Sequence, residues 1–94
     1  SAEETFNSPY NAYVAKLLGE VNTVSDEEKA VLNISENYFF PHKIQIQENG
    51  LETEVIESRF AGNHYWNKIL VKNIPLIMYS DKKLEGKTSV KINL

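Results

Sequence analysis

The sequence predicts a mainly β fold: a small antiparallel barrel or sandwich of six or seven short strands behind one N-terminal helix. Three observations predict it. Beyond Gly19 the apolar residues recur with period two, the period of a strand with one buried face. Turn-forming Gly, Asn and Asp residues punctuate that pattern at even spacing, as in small all-β domains. Only one stretch, before Gly19, carries the 3.6 period of a helix.

Residues 1–6 read as an arm, and Ser1-Ala2 as the remnant of a cleaved tag on a piece excised from a longer protein. Ser8 can cap a helix and Pro9 suits its first position, where a missing N–H costs nothing. Tyr10, Tyr13, Val14, Leu17 and Leu18 then fall on one face, and Gly19 ends the run. A helix over residues 9–18 is too short to stand alone and needs something to dock on.

Residues 20–24 and 29–34 are the next strand candidates. Ser25 and Glu28 between them have capping-box spacing, but no apolar helical pattern follows, so a hairpin turn is expected. Residues 38–47 form a strand region in which Pro41 marks an edge, a bulge or a start. Glu48-Asn49-Gly50 predicts a turn into a long strand over 51–60. Gly62-Asn63 is the following turn and 64–72 the following strand. Asn73 begins a tight reversal into 74–80, a polar connection covers 81–86, and 89–94 closes the chain with Val90, Ile92 and Leu94 inward.

Length and charge bound the function. Ninety-four residues carry one modest core and no large catalytic domain. With no cysteine there is no disulfide, thiolate metal site or cysteine nucleophile. No apolar run is long enough to span a bilayer. Residues 1–57 carry eleven Asp/Glu and three Lys, a charge of −8, whereas residues 58–94 carry Arg59 and six Lys against two acids, a charge of +5. Neighbouring strands mix these halves in space, so the surface is expected to be less polar than the split suggests.

The motifs of catalysis are missing. Gly86-Lys87-Thr88 mimics the end of a phosphate loop, but the first glycine of that pattern would have to stand at Asp81. His42 and His64 have no ligand spacing, and His64 reads as a member of an aromatic cluster. Glu52, Glu54 and Glu57 read as a solvated strand face. Arg59, Phe60, Tyr65, Trp66, Lys68 and Lys72 supply the cations and stacking rings of a single-stranded nucleic-acid site, against which stands the net charge of −3. The aromatic groups exceed what one small core must hold. Phe39, Phe40, Tyr65 and Trp66 are therefore interface candidates, with Phe39 and Phe40 balanced between core and interface and Trp66 inclining to core.

One run is more specific. Ser8-Pro9-Tyr10-Asn11-Ala12-Tyr13-Val14-Ala15-Lys16-Leu17-Leu18-Gly19-Glu20-Val21-Asn22 resembles the junction between the ATPase domain and the C-terminal regulatory domain in ATP-binding subunits of ABC importers. Pro9, Asn11, Tyr13, Val14, Ala15, Gly19 and Asn22 fit that junction. Downstream, Glu57-Ser58-Arg59-Phe60-Ala61-Gly62-Asn63-His64-Tyr65 and then Lys68-Ile69-Leu70-Val71 are similar to the core of the transport-associated OB (TOBE) domain, with Gly62 at its turn. Phe39-Phe40-Pro41-His42 stands where the family has Arg-Pro-Glu, keeping only the proline, so no role of those charges carries over.

The resemblance covers residues 8–94 and implies an OB-like barrel of about six strands over residues 20–94, preceded by an arm and junction helix over residues 1–19. It implies a non-catalytic regulatory and dimerising domain that supports ATP-driven uptake by an importer of polyamine, iron or sugar type. ATP and Mg are expected only in an upstream domain, with no cofactor here. The implied partners are its own ATPase domain, a second copy and a membrane permease, with no nucleic acid, at the cytoplasmic face of the membrane. The alternatives are the single-strand-binding barrel and a small-ligand or oxyanion sensor, for which Ser89 and Lys91 offer donors of undistinctive spacing.

Overall fold

The computed structural model describes residues 20–94. The predicted helix over residues 9–18, with Pro9, Asn11, Tyr13, Val14 and Gly19, lies outside them. The described chain is mainly β and entirely antiparallel, as the period-two pattern requires. In chain order it holds β1 (Asn22–Thr23), α1 (Asp26–Leu32), β2 (Tyr38–Phe39), a 3₁₀ turn (Pro41–Lys43), β3 (Ile44–Phe60), β4 (Tyr65–Val71), β5 (Ile74–Ser80) and β6 (Gly86–Ile92).

Strands β3 to β6 form one sheet in the order β5-β4-β3-β6, and β1 pairs only with β2. Two hairpins followed by a return to the first strand is the Greek-key order. The β4–β5 link is a two-residue turn in which Lys72 and Asn73 both have positive φ, 50° and 68°, the hand that matches strand twist. Gly62, at φ 101°, serves the predicted β3–β4 turn, closed by Ala61 N–H donating to the His64 carbonyl at 2.7 Å.

The sheet is open and not a closed barrel. On β5, the outward N–H and carbonyl of Ile77 are taken by the side-chain amide of Asn22, both at 2.8 Å. Asn22 thus imitates a neighbouring strand for one residue. Pro75, two residues away, has no N–H to offer a further strand. At the opposite edge β6 pairs with β3 alone.

The inner face carries the core. Ile44, Ile69, Val71, Ile74, Leu76, Met78, Val90 and Ile92 point inward, and Val24, Leu32 and Phe39 close over them from the β1–α1–β2 layer. Asn67 is a polar exception, fully buried in the inner row, with its amide donating to the Met78 carbonyl and to Ser80 Oγ at 3.1 and 2.9 Å.

Three expectations change. Residues 29–34 belong largely to α1, because the capping box is real: Ser25 Oγ accepts from Glu28 N–H at 3.1 Å and Glu28 Oε1 accepts from Ser25 N–H at 2.9 Å. Local capping and a left-handed Asn33 (φ 56°) define the helix, and Leu32 alone anchors it. Second, Glu48-Asn49-Gly50 does not reverse the chain. Ile46 and Leu51 both face Val90, so the residues between them are a wide bulge within β3. Asn49 takes a positive φ of 62°, and a Cβ on Gly50 would collide with the Val90 carbonyl, which is why glycine stands there. Third, β6 begins at Gly86 and leaves Leu94 beyond its end, 49% exposed and not inward.

Candidate contact surface

Alternation that sends Asn67, Ile69 and Val71 inward sends Trp66, Lys68 and Leu70 outward. Hairpin register then builds rows across the outer face. Arg59 pairs with Trp66, and Trp66 with Tyr79. The Arg59 guanidinium lies over the Trp66 ring, 4.4 Å from its centroid, and Arg59 Nε meets Glu57 Oε2 at 2.7 Å. Trp66 Nε1 donates to Glu20 Oε1 at 2.6 Å, and the Tyr79 hydroxyl donates to the same oxygen at 3.4 Å. The His64 ring packs on Tyr79 at 4.3 Å. Partial burial, then the Glu20 charge and its hydrogen bond, raise the Tyr79 phenol above its ordinary 10.0.

The next rows mix charge with apolar groups. Glu57 stands opposite Lys68 and Lys68 opposite Ile77, while Glu54 lies between Lys87 and Leu70, with Pro75 beyond. Glu52, Glu54, Leu70, Lys72 and Lys87 line an open depression of about 390 Å³. The outer face therefore divides lengthwise. Its β4–β5 half carries Trp66, Leu70, Ile77 and Tyr79, half-buried, and its β3–β6 half carries Glu52, Glu54 and Glu57 on β3 beside Lys87 and Lys91 on β6, with Glu54 opposite Lys87.

The predicted site residues separate. Phe39 is 4% exposed and belongs to the core, so it is no interface residue: β2 turns it inward against the β1–α1 layer. Phe40 is half-buried and stacks on His42 at 5.9 Å. Tyr65 lies on the inner side at the sheet end, edge-on to the exposed Phe60 at 5.2 Å. Trp66, inclined to core by sequence, is on the outer face because it alternates with the buried Asn67. Asn22 sits at the β5 edge. Of the cation-and-ring set, Arg59, Trp66 and Lys68 share the outer face, with Lys72 in the depression at its end, and Lys68 faces Glu57. Sequence reasoning did not single out Tyr79 or Glu20. Tyr79 could be found by alternation from Met78 and the two-residue turn at Lys72, whereas nothing in the sequence marks Glu20.

Among the described residues no group of three or more His, Asp or Glu is placed to hold a metal, and no helix is long and apolar enough to cross a membrane. Compared with family models, with curated proteins and with solved structures, the chain finds no significant match.

Proposed function

We propose that this chain is a non-catalytic regulatory and dimerising domain that works by contact, of the kind joined to the ATP-binding subunit of ABC importers. Its partners in that role are the ATPase domain before it and a second copy of itself. One observation carries the reading: an outer sheet face whose aromatic half is only half-buried and whose other half sets the Glu52, Glu54 and Glu57 row of β3 beside Lys87 and Lys91 of β6. A mixed-sign surface beside an apolar stripe suits a two-fold contact, in which each acid can meet the partner's lysine. The junction run over residues 8–22 and the TOBE-like run over residues 57–71 support the same assignment from sequence. The interleaved glutamates speak against a nucleic-acid surface, which needs unopposed cations.

Sedimentation of the full chain over a concentration series tests the assignment. Self-association should weaken in Glu54→Lys and return in the charge swap Glu54→Lys with Lys87→Glu. Association indifferent to both contradicts the surface. Calorimetry with ATP should show no binding, and micromolar binding would overturn the non-catalytic assignment.

A further inference from the structure

The two edges of the four-stranded sheet are finished differently. β5 is closed to a further strand twice over, by the Asn22 amide on Ile77 at 2.8 Å and by Pro75, which has no N–H. β6 has neither device. Among the described residues it pairs with β3 alone, and no side chain stands in for a strand on its other side as Asn22 does for β5. β6 is also regular. The wide bulge between the two strands lies wholly in β3, and Ser89 Oγ donates to the Gln47 carbonyl at 2.6 Å, holding that bulge against β6. Gly86 to Ile92 thus present 7 residues of unbroken edge without a proline, a length of about 23 Å.

Charge decides which strand fits. Alternation puts Lys87, Ser89 and Lys91 on the outer side of β6, and Val90 and Ile92 on the inner side. Two copies joined β6 to β6 over the full strand would be centred on Ser89, and each Lys87 would stand opposite the Lys91 of the other copy. Like charges directly opposite destabilise a strand pair, so the edge rejects its own kind. An acidic strand meets the reverse. Lys87 has Glu54 across from it on β3, whereas Lys91 has the neutral Gln45, so the cation that an incoming carboxylate can balance is Lys91.

We infer that the β6 edge takes up an extended acidic peptide of another protein as an added antiparallel strand, with a carboxylate opposite Lys91 and apolar residues opposite Val90 and Ile92. Main-chain hydrogen bonds supply the affinity and the alternate side chains the selection. The edge lies in the plane of the sheet, so this site leaves the outer face to the two-fold contact and does not depend on it.

The probe is the peptide Val-Glu-Val-Thr-Val-Glu-Thr, whose second residue meets Lys91 when its fourth meets Ser89. Its binding to the full chain is followed by fluorescence anisotropy and located by amide hydrogen exchange. Bound peptide should slow exchange along β6 and leave β5 unchanged. The same peptide with Lys for Glu should not bind, nor should one with methylated main-chain nitrogens, which has lost its donors. Lys91→Glu should weaken the acidic peptide about tenfold and admit the Lys peptide. Absence of binding, protection on β5 instead of β6, equal binding of the methylated peptide or unchanged affinity in Lys91→Glu would each overturn the inference. So would protection of β6 on concentrating the chain without peptide, which assigns the edge to a second copy. Sedimentation of the Glu54 variants reads the face contact separately, so either reading can fail without the other.

Discussion

The two faces of one sheet solve the problem of burial in opposite ways. On the inner face Ile69 and Val71 are fully buried among Leu76, Met78 and Val90, with a second layer pressed over them. On the outer face, one residue away along the same strands, Trp66 and Leu70 are half-buried, and Trp66 meets a guanidinium and a carboxylate. The inner face buys the fold. The outer face, held in register by it, is spare surface whose shape is nevertheless fixed, and that is what a contact surface requires.

Substitutions can break this division, and the largest effect is expected inside. Ile69→Ala should cost about 3 kcal/mol in denaturant unfolding, since the surrounding core cannot collapse into the gap. At the border between the faces, Asn22→Ala should cost about 2 kcal/mol, because it orphans the N–H and carbonyl of Ile77. It should also increase association through the unblocked β5 edge, seen by light scattering. Ser25→Ala removes one arm of the α1 capping box and should cost about 1 kcal/mol. Arg59→Ala, wholly on the outer face, should cost only about 0.5 kcal/mol. If Arg59→Ala destabilised as much as Ile69→Ala, the two faces would not be doing different work.

Tyr79 gives the division a pH signature. Its pKa is raised in the fold, by burial first and by Glu20 second. The unfolded chain therefore releases this proton earlier as pH climbs. The stabilisation is complete below the ordinary value of 10.0 and is lost as pH rises through the folded-state value. Glu20→Gln should bring the tyrosinate transition to lower pH in an absorbance titration. An unchanged transition would separate Glu20 from Tyr79.

Much of this was legible in the sequence. Period-two alternation marks β4 and β5 as strands, because each buries one whole face, while the inclination of Trp66 to the core points to the wrong face. The Lys72-Asn73 turn set their register. The sequence misled where a local signal has two outcomes. Asn49-Gly50 permits positive φ, which serves a bulge as well as a hairpin, and only the packing of Val90 against Gly50 selects the bulge. Ser25 and Glu28 carry a helix-start signal with no apolar stripe behind it, yet a seven-residue helix needs only Leu32 inside. The outer row was hidden for a different reason: Arg59, Trp66, Tyr79 and Glu20 meet only through strand register and through a chain path round the β5 edge. Strand number leaves barrel and sandwich open, the TOBE resemblance alone implies closure, and neither says whether an edge is capped by an amide.

Trp66 is the only tryptophan, so its emission reports the outer face alone. The most direct measurement is acrylamide quenching of the full chain over a protein concentration series, against the variant Glu54→Lys, with far-UV circular dichroism to follow the fold. The account predicts that quenching of Trp66 falls as the native chain is concentrated and stays high in the variant, with the β signal unchanged. Quenching independent of concentration in both chains would contradict it.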